Sequence, residues 1–201
     1  MTQHTNISLP GFRFTHAEPA NFAVIAALFQ ELHQFNSSLD ACFALAENWR
    51  DLLHEHFKRT YNSPNTLWLL AWHKEQPAGL LMVEVHKDSP LFQHRNWAEL
   101  TALYVEPAYR GSDMAACLVT FARDWAAMHG FNRLELYVTA SNERAKKFYW
   151  RCGLRPVQEI WRLEVDPDAE PVFDIAANQA GDAWKSLLEP GQHYMCAPDE
   201  T

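Results

Sequence analysis

Three groups of residues in the second half of this chain are suited to chemistry. The first is a turn, Val105-Glu106-Pro107-Ala108-Tyr109-Arg110-Gly111-Ser112-Asp113-Met114-Ala115, set between an apolar strand pattern and an apolar helix pattern. A strand that stops at Pro107 and re-emerges as a helix N-terminus presents unpaired backbone N–H groups, and these make a site for an anionic group, typically phosphate. The second is the carboxylate of Glu99, on the strand that leads into the turn. A carboxylate half-buried in a strand tends toward a raised pKa, which moves it closer to duty as a base at neutral pH. Glu84, on the preceding strand, competes for that role. The third is the phenol of Tyr149, a good proton donor and a poor base near neutral pH.

These residues need a scaffold, and the hydrophobic periodicity predicts one. Gly11–His16 alternates as a first strand, and Pro19 opens a helix through Phe22, Ile25, Ala26, Phe29 and Leu32, broken at Asn36-Ser37-Ser38. A second helix starts at Leu39-Asp40 and runs to about Arg59. Thr66–His73 and Ala78–His86 read as an antiparallel hairpin across Lys74-Glu75-Gln76-Pro77. Trp97–Val105 is the next strand, with Glu99, Thr101, Leu103 and Val105 on one face by the period of two. There follow a helix from Ser112 to His129, a strand from Arg133 to Val138, a short helix from Asn142 to Arg151 with Gly153 as its C-cap, and a last strand from Arg155 to Val165. The fold class is therefore α/β: a mixed, mostly antiparallel sheet with helices on both faces. Residues 1–165 form the domain. Residues 166–201 form a C-terminal extension behind the linker-like run Asp166–Pro171, with one amphipathic helix from Phe173 to Leu188.

Composition narrows the partners. With 17 basic and 25 acidic residues the formal charge is −8, which argues against nucleic acid and anionic membranes; an acidic surface can attract cationic amines, but a mild acidic excess is more often simply that of a soluble protein. No apolar run is long enough to span a bilayer. The N-terminus, Met1–Pro10, lacks the features of a signal peptide. Cys42, Cys117, Cys152 and Cys196 share no CxxC spacing, so the expected compartment is a reduced, cytoplasmic one. His54 and His56 lie two apart on a predicted helix and face different directions, so no metal pair is expected there.

The element order, together with Arg110-Gly111 and Asn142…Phe148-Tyr149, resembles the GCN5-related N-acetyltransferase (GNAT) superfamily, roughly over Phe12–Val165 and specifically over Trp97–Leu154. The resemblance implies acetyl-CoA as co-substrate, with the strand at Leu103 and Val105 running beside its pantetheine arm. The amides from Gly111 through Ser112, Asp113 and Met114 to Ala115 then wrap the pyrophosphate, with Arg110 in the first motif position. The segment Asn142-Glu143-Arg144-Ala145-Lys146-Lys147-Phe148-Tyr149…Gly153-Leu154 resembles the family's Asn-x-x-Ala-x-x-Phe-Tyr pattern. By that resemblance Asn142 bonds the pantetheine region, Ala145 gives the cofactor room and Tyr149 protonates the departing thiolate. Asn142 is equally a helix cap. Glu99 lies six residues before Val105, where some members of the family carry a catalytic glutamate, and acts as base through water on an amine of a small molecule.

Asp113 stands where the family has its central glycine. It adds a side chain and a negative charge beside the pyrophosphate, or, as a favoured N-cap, turns its carboxylate onto the same amides. Acceptor recognition is expected from the first two helices: Gln34, Asn36, Ser37, Ser38 and Asp40, with Phe35 and Phe43 as walls. Asp40 is a partner for an ammonium or a cap of the second helix. The alternative to an enzyme is a non-catalytic acyl-CoA-binding or interaction protein that keeps the fold. A third reading is a scaffold in which the C-terminal helix pairs two copies into a homodimer.

Overall fold

The computed structural model describes residues 9–169. Leu-, Trp- and Val-rich segments at the centre of the chain are covered from both sides, which is why they read as nearly continuous apolar runs rather than alternating ones. They form one five-stranded sheet in the order β1 (Phe12–His16), β2 (Thr66–His73), β3 (Gln76–Lys87), β4 (Asn96–Val105) and β5 (Leu134–Glu135). Neighbours are antiparallel except β4 and β5, which run parallel. The mixed, mostly antiparallel sheet expected from the sequence is present, with helices on both faces.

One face carries α1 (Phe22–Leu39) and α2 (Trp49–Thr60), packed through Ile25, Leu28, Leu53 and Phe57 onto Trp68, Leu70, Leu80, Met82, Ala102 and Tyr104. The other carries α3 (Met114–Met128) and α4 (Glu143–Arg151). There Met114, Leu118, Ala122 and Trp125 pack onto Leu67, Leu69, Leu81, Val83, Leu100 and Val105, with Phe148 and Tyr149 at the margin. Gly79 lets β3 and β4 approach closely: a Cβ there would lie 2.8 Å from the Tyr104 carbonyl oxygen. Among the described residues no helix is long and apolar enough to cross a membrane.

Two irregularities in β4 shape the molecule. Met82 faces Ala102 but Val83 faces Leu100, so Thr101 is an extra residue, a β-bulge. An inserted residue reverses the in–out alternation downstream of it. Leu103 and Val105 accordingly pack on the α3 side with Ala98 and Leu100. Glu99 lies on the opposite, α2 side, next to its register partner Glu84. The expectation that Glu99, Leu103 and Val105 share a face is corrected by this bulge. The second irregularity is a fork. β4 pairs with β5 only at Ala98–Leu134 and Glu99–Glu135, and beyond Glu99 the β5-side edge of β4 has no strand partner among the described residues.

Several boundaries differ from the periodicity. The expected break at Asn36-Ser37-Ser38 is absent, because the Ser37 and Ser38 hydroxyls donate to the Gln34 and Phe35 carbonyls and remain inside α1. Asp40 adopts an extended conformation and caps a 3-10 turn, Ala41–Phe43, so α2 begins only at Trp49. The strand expected over Arg133–Val138 shrinks to β5. The strand expected over Arg155–Val165 does not form. Arg155 instead donates to the Trp150 and Leu154 carbonyls, and residues 156–165 have no ladder partner and expose Val157, Ile160, Trp161, Leu163 and Val165. An alternating apolar pattern is only a propensity, and without a ladder to supply its backbone hydrogen bonds it does not become a strand. The chain divides into two units, Met1–Arg155 and Pro156–Thr201. The helix expected over Phe173–Leu188 lies outside the described residues.

Candidate active site

The site is organised along β4, from the fork at Glu99 to the turn that enters α3. Past Val105 the chain makes a 3-10 turn, Pro107–Tyr109, and reaches Gly111 at φ +89°, a left-handed conformation open to glycine at little cost. Arg110 braces this turn: its Nε donates to the Val105 carbonyl at 2.9 Å, and its guanidinium lies 5.5 Å from the Tyr104 ring centroid. The motif arginine thus ties the turn to the end of β4.

Not every amide of the turn is free. The Ser112 amide donates to the Tyr109 carbonyl at 3.4 Å, and the Met114 amide to the Ser112 hydroxyl at 3.3 Å. Those of Gly111, Asp113, Ala115 and Ala116 have no acceptor among the described residues. They form a short donor array at the positive end of α3. The Met114 side chain is fully buried and anchors the start of the helix in the core. Asp113 is the N-cap residue of α3, yet its carboxylate makes no capping hydrogen bond. The expectation that this carboxylate turns inward on the amides is therefore corrected. Its charge is felt instead one turn on, at Cys117, whose thiol is pushed up by burial and secondarily by Asp113.

α4 delivers Asn142 and Tyr149. Asn142 is an N-cap, its Oδ1 accepting the Ala145 amide at 3.0 Å, which leaves its side-chain N–H groups for another partner. Ala145 is half-buried behind it. Tyr149 is mostly buried beside Phe148 against the α3-side core. Burial, with the nearby Cys152 sulfur, pushes its phenol up to about 12. It therefore keeps its proton across the physiological range.

On the α2 side of the fork, Glu99 is 15% exposed and accepts a 2.7 Å hydrogen bond from His86 Nδ1. The competing Glu84 accepts one from His56 Nε2 at 3.0 Å. His54 packs instead on Phe22, so the two helix histidines go to separate partners. Periodicity could not reveal either histidine–glutamate pair, because both are made between elements. The one available signal was His86 two residues beyond Glu84, on the same face of the hairpin. In the expected acceptor region, a cavity of about 310 Å³ opens between the end of α1 and the segment entering α2, lined in part by His33, Gln34, Ser37, Glu47 and Trp49. Burial lowers the pKa of His33. Asp40 accepts the Cys42 amide, while Phe35 and Phe43 are exposed.

Known structures share the fold. A mutant of the BH1408 protein from Bacillus halodurans aligns with TM-score 0.67 and 18% identity, over 76% of this chain and 99% of that one. The aminoglycoside antibiotic 6'-N-acetyltransferase AAC(6')-Ih from Acinetobacter baumannii aligns with TM-score 0.62 and 17% identity, over 78% and 99%. AAC(6')-Iy in complex with a CoA-based bisubstrate analog aligns with TM-score 0.62 and 11% identity, over 77% and 98%. At these identities the likeness is one of fold. No curated protein sequence matches the chain. Residues 26–154, more than half of the sequence, match the model of one family, and the chain belongs to it: the Acetyltransferase (GNAT) family.

Proposed function

We propose that this protein transfers an acetyl group from acetyl-CoA directly to a primary amine of a small molecule, with both substrates bound together. The observation that carries the reading is the open β4 edge running from the fork into the unpaired amides of Gly111, Asp113, Ala115 and Ala116. An edge that lacks a strand partner suits an amide-bearing arm, and four unpaired N–H groups at a helix start suit a pyrophosphate. The backbone at Leu103 and Val105 would flank the arm, the side-chain N–H of Asn142 would bond it, and Ala145 would leave it room. When bound, acetyl-CoA supplies the activated acyl group.

The chain's own groups handle the protons. Transfer needs a neutral amine, and the carboxylate of Glu99 places basic character at the fork. Tyr149, protonated throughout the neutral range, donates a hydrogen bond to the leaving sulfur. Outright transfer from a phenol at about 12 to a thiolate of ordinary pKa near 8.5 is uphill by roughly 5 kcal/mol. The bond to the neutral phenol, rather than a free phenolate, is therefore the useful form. The −8 formal charge and the cavity beside α1 suit a small cationic acceptor, as do the aminoglycoside acetyltransferases among similar folds.

Calorimetric titration with acetyl-CoA, followed by thiol release over a panel of primary amines, tests the reading. Heat on binding and turnover of at least one amine are expected. Absence of heat at millimolar acetyl-CoA rejects the reading. Binding without turnover favours a non-catalytic acyl-CoA-binding protein, the reading that Asp113 motivates.

A further inference from the structure

The register places Glu84, Glu99 and Glu135 side by side on β3, β4 and β5, and each carboxylate is held by a basic group. His56 holds Glu84 at 3.0 Å, His86 holds Glu99 at 2.7 Å, and Arg133 Nε lies 3.2 Å from Glu135. Of the three, the His86–Glu99 pair stands at the fork itself. Its ring is fixed. The imidazole stacks on Trp97 with centroids 4.0 Å apart and planes 18° apart, and Arg133, arriving from the β5 side, lies 4.2 Å from the same indole centroid. An ionised carboxylate can only accept, so His86 Nδ1 carries a hydrogen, and in the neutral ring the lone pair is then on Nε2. Among the described residues Nε2 has no partner, and the side chain is 31% exposed.

We propose that His86, and not the Glu99 carboxylate, takes the proton from the acceptor ammonium, directly or through one water, while Glu99 holds the ring. This rests on the acetyltransferase reading and sharpens its assignment of the base. An ammonium N–H bond breaks and its electron pair stays on the nitrogen, free to attack. The proton forms Nε2–H, Glu99 remains ionised, and the imidazolium later releases the proton to water. Glu99 is less suited to take the proton itself, because protonation would weaken the short bond it already accepts. Glu84 and Glu135, the register neighbours of Glu99, add negative charge around the imidazolium, Asp88 acts on the neighbouring Tyr137, and Arg133 offsets part of this charge. Tyr137 faces the same acidic group, Glu99 and Glu135 helping burial to raise its pKa. His56 does not compete on position: it is bound to Glu84 on β3, one strand away from the fork.

The test compares two acceptors in the same variant: an alkyl primary amine that is an ammonium at neutral pH, and its fluorinated counterpart of low basicity, already neutral there. His86→Gln should lose about 100-fold in kcat/KM with the ammonium, within the usual range for general-base catalysis, and only a few-fold with the neutral amine. The ratio is internal to each variant, so a partial loss of folded protein cancels. A second readout needs no turnover: in nitrogen-15 spectra, the downfield Nδ1–H resonance of His86 should move upfield in Glu99→Gln. Equal losses on the two amines, or no loss, overturn the assignment to His86 while leaving the acetyltransferase reading standing. An unmoved resonance overturns the role given to Glu99. The pair of amines is taken from those the wild type turns over; a wild-type protein that binds no acetyl-CoA, or acetylates no amine of the panel, overturns the acetyltransferase reading, and this inference with it.

Discussion

Replacing Tyr149 by Phe removes one oxygen from a mostly buried ring and leaves its packing beside Phe148 in place. The consequence is calculable because the phenol is pushed from 10.0 to about 12 by burial. A group whose folded pKa lies above its unfolded one adds a constant stability below the unfolded value, and that contribution is lost as pH rises through the folded value. The window is therefore pH 10 to 12. At pH 11 the unfolded phenol is largely ionised and the folded one largely neutral, which lowers the stability of the wild type by about 1.4 kcal/mol relative to neutral pH. Tyr149→Phe escapes this loss. Urea unfolding of both proteins at pH 8 and pH 11 gives the comparison, and the difference of differences cancels the contributions of Tyr104, Tyr137 and the cysteines. Equal alkaline losses in the two proteins would refute the burial argument. The same variant should lower kcat while leaving the Kd for acetyl-CoA unchanged, because the hydroxyl acts at the sulfur and not at the phosphates.

If the unpaired amides of the turn hold the pyrophosphate as proposed, Asp113→Asn should tighten acetyl-CoA binding about fivefold in calorimetry, since it removes a like charge worth about 1 kcal/mol beside them. Its Tm should not fall, because the carboxylate makes no capping bond that could be lost; an unchanged Kd places that carboxylate away from the phosphates. Gly79→Ala should destabilise by about 1–3 kcal/mol, because the new Cβ meets a backbone oxygen at 2.8 Å and β3 and β4 must separate. A urea midpoint equal to that of the wild type would show that the sheet absorbs the methyl without cost.

The turn from Val105 to Ala115 was legible in the residues alone because its determinants are local. Pro107 ends a strand, Gly111 takes a positive φ, and the helix pattern begins within a few positions. Asn142 as the start of α4 was legible for the same reason, its side chain reaching only three residues ahead. The element order likewise followed from apolar spacing within each segment, and with it the family resemblance. What the residues could not show is which neighbour each strand meets and in what register. Thr101 looks like any strand residue. Only its place opposite the Met82–Val83 step makes it a bulge, and that extra residue sends Glu99 to the α2 side and Leu103 and Val105 to the α3 side. The pairing of Glu99 with His86 and of Glu84 with His56 depends on the same register. So does the fork, where the β4–β5 ladder stops after Glu99. The pattern from Arg155 to Val165 carries strand propensity, but propensity becomes a strand only when an edge supplies its hydrogen bonds. Local chemistry determined the turn and the caps; the register of the sheet, a property of contacts distant in sequence, decided which side chains stand together at the fork.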